Sequence, residues 1–233
     1  MPAADPLLEL FSRYNPAIWP VQPVAWIAAV AAVVLIAWRP SRTTDRLVTG
    51  LLATTWLFIG VVFQGIWVRE LDPTLSVVYA VLFLVQAALF AIVGLRGDRV
   101  AYRIARTPAG VLGATMIAYA LVVYPLLGMA FGHPYPEAPL FGAAPCPTTI
   151  FTFGLFLLVR PPFPQVLLAI PFFWAAVATP AAVGRGVFED VGLLLAGIVA
   201  LWLITTRDRA ARRHPTRIPN PVGAHASTKE PVR

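Results

Sequence analysis

Seven apolar runs, at 21–38, 47–68, 75–95, 109–131, 148–159, 165–183 and 191–206, dominate the chain and leave it few folds to choose from. Six are long enough, or nearly so, to carry a helix across a hydrocarbon core of about 30 Å. The fifth, at twelve residues, covers only about 18 Å, so its helix either starts earlier, through 143–147, or is re-entrant. No ten-residue alternation of the outer-membrane barrel kind is present. The expected fold is all-α: a polytopic transmembrane helical bundle of about seven spans.

Charge supports that class. Only 12% of residues are charged, against about a quarter in soluble proteins, and 58% are hydrophobic. The net charge of +7 would suit a nucleic-acid binder, but no recognition motif accompanies it. Membrane proteins collect Lys and Arg in cytoplasmic loops. With the N-terminus outside, the inner segments 39–46, 96–107, 160–163 and 207–233 hold fifteen of the eighteen basic residues. The outer segments, 1–20, 69–74, 132–147 and 184–190, hold the other three. A re-entrant fifth segment would put the basic tail outside, so seven spans, N-out and C-in, is the expected topology. Membrane lipids are then the obligatory partners and nucleic acid is not one.

Three parts are expected. Residues 1–20 carry Leu7, Leu8, Phe11 and Tyr14 at near-helical spacing, an interfacial segment on the outer face. Residues 1–15 are acidic and do not read as a signal peptide. The seven-span domain fills 21–206. The tail, 207–233, is basic and expected to be disordered; its Arg207, Arg209, Arg212 and Arg213 form a juxtamembrane cluster suited to anionic lipid heads. Pro125, inside the fourth span, is expected to kink it near Tyr124.

The working surface is expected at 132–147, an outer loop with five prolines, one histidine, Glu137 and the chain's single cysteine. Cys146 cannot form an internal disulfide; it lies just before a helix start, where free N–H groups favour a thiolate. Thr148 and Thr149 are expected to cap that start. Together with His133, Tyr135, Gln64, Gln86 and Tyr124, these residues outline an outward-opening polar pocket. The bland alternative is that Gln and Thr bond between helices and that Cys146 is an inert packing residue. Cys146, His133 and Glu137 are also a loose ligand set for a soft metal such as copper(I) or zinc, although the spacing matches no standard zinc pattern. As drawn, no charged residue lies inside a span, which argues against a proton-coupled pump.

Asn15-Pro16-x-x-Trp19-Pro20, Tyr124-Pro125-Leu126, Gly132-His133-x-Tyr135-Pro136 and Phe141-Gly142-x-x-Pro145-Cys146-Pro147-Thr148-Thr149 together resemble a family of bacterial multi-span membrane proteins, a domain of unknown function. The resemblance implies a bacterial inner membrane and brings no catalytic residue or cofactor. Three roles are open: a small permease or binding component for a small molecule or soft metal, an assembly partner docking another membrane or periplasmic protein, and an enzyme using Cys146 and His133. Enzyme activity is the least supported, since no third, orienting residue is evident.

Overall fold

The computed structural model describes residues 5–97 and 99–213, which form an all-helical structure with no strand among them. The helices are α1 (Pro6–Ala17), α2 (Val21–Trp38), α3 (Arg42–Glu70), α4 (Pro73–Arg96), α5 (Pro108–Ala130), α6 (Pro145–Leu157), α7 (Val166–Val183) and α8 (Phe188–Arg213). Six of them, α2 to α5 with α7 and α8, are long and apolar enough to cross a membrane, the build of a multi-pass membrane protein. Their outward faces carry Ile27, Val34, Val61, Val77, Ile92 and Trp202, a surface that water would not favour.

Helix starts follow from local chemistry. Asp5, Ser41, Asp72 and Thr107 each accept a backbone N–H of the first turn, and Pro6, Pro73 and Pro108 open α1, α4 and α5, where the missing N–H costs nothing. Just past the end of α5, Gly132 has a φ of 91° that lets His133 N–H reach back to Gly128 O at 2.7 Å, a Schellman closure.

The bundle has two ends. At one, α1 packs across the helix termini instead of lying free. Phe11 stacks on Phe63 and Tyr14 meets the same ring edge-on, Tyr14 Oη donates to Ala143 O at 2.9 Å, and Asn15 Nδ2 donates to Pro136 O and Ala138 O. Burial pushes the Tyr14 phenol well above its ordinary pKa, so it stays a donor. At the other end, Asp45 Oδ1 accepts from Tyr102 N and Arg103 Nη1 at 2.9 and 3.0 Å. There the 97–107 and 158–165 segments also exchange backbone bonds, Arg103 N to Leu158 O and Arg160 N to Ala101 O.

α6 joins the two ends through the middle. It has 13 residues, and all except Cys146 are buried. The helix begins at Pro145, so it does start earlier than the apolar run, and the flanking Phe141–Ala144 and Leu158–Val159 are buried as well. Enclosed on all sides, it needs no lipid-matched length, because irregular backbone is tolerated at depth where protein surrounds it. It crosses α5 at Gly113 and Gly154: a Cβ on Gly113 would stand 2.7 Å from Gly154 O.

Two sequence expectations are corrected here. The final helix continues to Arg213, so 207–213 is helical and not a disordered tail; 214–233 lie outside the described residues. Arg207 is not a free lipid contact, since its guanidinium donates to Leu157 O at 2.9 Å and Phe156 O at 3.3 Å, answering the last carbonyls of α6. Arg209, Arg212 and Arg213 are exposed on that end.

Candidate functional site

A cavity of about 370 Å3 lies under α1, at the end where the proline-rich segment enters α6. Its walls are apolar: Leu8 and Phe11 from α1, Phe63 from α3, Tyr79 from α4, and Val177 and Ala178 from α7. Amphipathic spacing in α1 turns Leu7, Leu8 and Phe11 down into this space. Gln64, Cys146, Trp174 and Asp190 supply the polar part of the lining.

Two of these groups are unpaired. Gln64 Nε2 and Trp174 Nε1 are buried N–H donors without a hydrogen-bond partner among the described residues. The Trp174 indole lies beside the Cys146 sulfur, a weak acceptor. The remaining charged residues of the lining are engaged elsewhere. Asp72 Oδ1 caps α4 through Thr74 N and Leu75 N at 2.8 and 2.9 Å. Arg185 donates to Ala181 O and lies 3.8 Å from Asp5 Oδ2.

Asp190 links the cavity to a buried polar cluster. Its carboxylate accepts from Tyr124 Oη, and the Cys146 thiol lies beside it. Its neighbour Glu189 is also buried, with both side-chain oxygens lacking a partner among the described residues. His133 Nδ1 stands 3.9 Å from Glu189 Oε1, beyond hydrogen-bond reach. The turn carrying both acids is pinned through its backbone, Tyr119 Oη donating to Glu189 O at 2.7 Å and Thr179 Oγ1 to Asp190 O at 3.1 Å.

The pocket outlined from sequence is therefore partly assembled. Gln64 and Cys146 line the cavity, while Tyr124 and His133 stand behind it through Asp190 and Glu189. Thr148 and Thr149 lie inside α6 and do not cap it: the cap position is Ala144, and the two hydroxyls donate back to Ala144 O and Pro145 O at 2.8 Å. Thr148 Oγ1 also accepts from Gly142 N, whose φ of 76° and 2.5 Å clearance to Ala25 Cβ admit only glycine. Gln86 is outside the cavity and bonds Leu167 O at 3.0 Å. Tyr135 is exposed and lines a separate lateral groove with Trp19, Gln22 and Trp26.

Cys146, His133 and Glu137 are not gathered as a ligand set; among the described residues no group of three His, Cys, Asp or Glu is placed to hold a metal ion. The structure sets Cys146 against Asp190 and His133 against Glu189, which also leaves the Cys–His pair unassembled.

Sequence reasoning missed Glu189 and Asp190. The acids follow Arg185-Gly186-Val187-Phe188, read as an outer loop, and two carboxylates before an apolar run look like solvated first-turn residues. Nothing local distinguishes them; the facing Tyr124 and Cys146 lie 66 and 44 positions away in the chain, as Asp190 Oδ1 and its tyrosine partner show. Trp174, deep in its span, reads as a packing or pocket-lining residue, and it lines the cavity.

A family model described as a family of unknown function (DUF6064) matches residues 4–215. No curated protein matches the chain, and no solved structure does.

Proposed function

Because the chain belongs to this family of unknown function, which lends it no activity, we propose from its geometry that it holds a small, mostly apolar molecule in the cavity beneath α1, as a permease or binding component. The observation that carries this reading is the cavity itself. Its volume is within the usual range of about 300–1,000 Å3 for small-molecule sites, and it joins apolar walls to a few convergent polar groups. An organic occupant fits better than a soft metal, since the thiol and imidazole face different carboxylates.

In this reading the chain crosses a bacterial cytoplasmic membrane seven times, N-out and C-in, and α1 covers the cavity from the outer side. The skew of basic residues supports the orientation. The passage of α6 from the α1 end to the Arg207 end supports the seventh crossing.

Cys146 reports on occupancy because it lines the cavity and is the chain's one thiol. N-phenyl-1-naphthylamine, a neutral apolar probe, should slow N-ethylmaleimide reaction at Cys146 saturably in the protein in lipid vesicles. Ala178→Trp, which fills the space, should remove that protection. Equal rates with and without the probe in the unsubstituted protein would overturn the reading.

A further inference from the structure

We infer that Glu189 and His133 form a buried proton-binding site, the two side chains holding a single proton between them. The site is separate from the cavity and needs no occupant there. Three parts of the fold build it. The Schellman turn after α5 sets His133 in place by bonding its N–H to Gly128 O. Gly128 clears room for the acid, since a Cβ there would stand 3.2 Å from Glu189 Oε1. Tyr119 of α5 and Thr179 of α7 hold the backbone of Glu189 and Asp190, which keeps the carboxyl group inside.

None of the Glu189 side chain is exposed, and both its oxygens lack a partner among the described residues, as does His133 Nδ1. Their separation of 3.9 Å is about 1 Å beyond a hydrogen bond, a gap that side-chain motion closes once one atom has a proton to give. Among the described residues no lysine or arginine pairs with Glu189; Arg185, the nearest in the chain, is turned to Ala181 O and Asp5. The other groups facing the pair are Tyr119 and Tyr124 of α5, Cys146 of α6, Asp190 of α8 and the uncharged Thr179 of α7, none of them a cation.

With no proton the pair buries an unanswered negative charge, and with two it buries a positive one. With one it is neutral, whether the proton sits on Glu189 Oε1 or on His133 Nδ1. The imidazole is the way in from solvent, since 12% of its side chain remains exposed. Asp190, the next residue, lines the cavity, so a charge on the pair is felt there.

Unfolding of the full chain by SDS in mixed micelles, followed against pH, tests the shared proton. Free Glu and His side chains titrate at about 4.3 and about 6.5. Between those values the unfolded chain also holds one proton on the two groups, so the pair makes no slope in the unsubstituted protein. His133→Gln leaves a buried acid that keeps its proton when folded and loses it when unfolded. The cost of that variant should therefore grow as pH rises through this range, up to about tenfold in the unfolding constant per pH unit. Glu189→Gln leaves an imidazole with no carboxylate to answer its charge, neutral when folded and protonated when unfolded. Its cost should shrink as pH rises, with the same limiting slope. A role in packing alone would give costs that are even across pH. An even cost for His133→Gln would overturn the shared proton; if that variant fails to fold, an even cost for Glu189→Gln would do so.

Discussion

Proline removes a backbone N–H, so the carbonyl four residues earlier in a helix is left without its donor. Two such carbonyls in this bundle are answered by named side chains. Pro171 frees Leu167 O, which accepts from Gln86 Nε2; Pro125 frees Leu121 O, which accepts from Trp26 Nε1 at 3.1 Å. Ala143 O, just ahead of the cap residue of α6, accepts from Tyr14 Oη in the same way. Gln86 is thus a proline's complement and not a ligand contact. Gln86→Leu alone should lower thermal stability in detergent by about 1 kcal/mol, the net worth of one such bond. With Pro171→Ala, which returns the N–H, the same change should cost almost nothing. Additive effects in that double-mutant cycle would refute the pairing. The sequence shows that Gln86 is polar at mid-span and places it in the pocket outline; it makes instead the interhelical bond weighed as the alternative. Its partner is illegible there, because finding it needs the rotation of α7 against α4.

Among the elements, α1 and α6 carry the most consequence. The 3.6-residue spacing of Leu7, Phe11 and Tyr14 does announce a helix, but spacing does not tell a lipid interface from the end of a bundle. The specific bonds from Tyr14 and Asn15 to the proline-rich segment decide it. They also make α1 a cover over Cys146. Tyr14→Phe removes one bond and leaves Ala143 O unpaired in a buried place, worth about 1–2 kcal/mol against the closed position. Maleimide alkylation of Cys146 should then quicken about five- to thirty-fold, the ratio such an energy sets. An unchanged rate would mean that α1 does not control access. α6 was harder to read, since hydropathy counts apolar residues and Pro145, Cys146 and Pro147 break the run. The helix nonetheless begins at Pro145, because first-turn positions need no N–H.

For the whole molecule, helix number and order were legible because each long apolar run is bounded by charge or proline. The buried acids were not: Glu189 and Asp190 sit just outside an apolar run yet inside the packed end. Two carboxylates are thus buried in the bundle, and a lack of such groups no longer counts against proton coupling. Orientation is the property most simply tested. In a Cys146→Ser background, Tyr135→Cys should react with a membrane-impermeant maleimide in intact cells, and Arg99→Cys only after permeabilisation; both positions are exposed. The reverse pattern would invert the topology.

The enclosure of α6 also bears on how such a chain is made. A 13-residue helix opened by two prolines is too short and too interrupted to halt in a bilayer by itself. In the seven-crossing arrangement it must wait, during synthesis, for α7 and α8 to arrive and close around it beside α5. The placement of the C-terminal third is then a late, cooperative act of biogenesis, settled by assembly rather than by the hydropathy of the segment that passes through the centre.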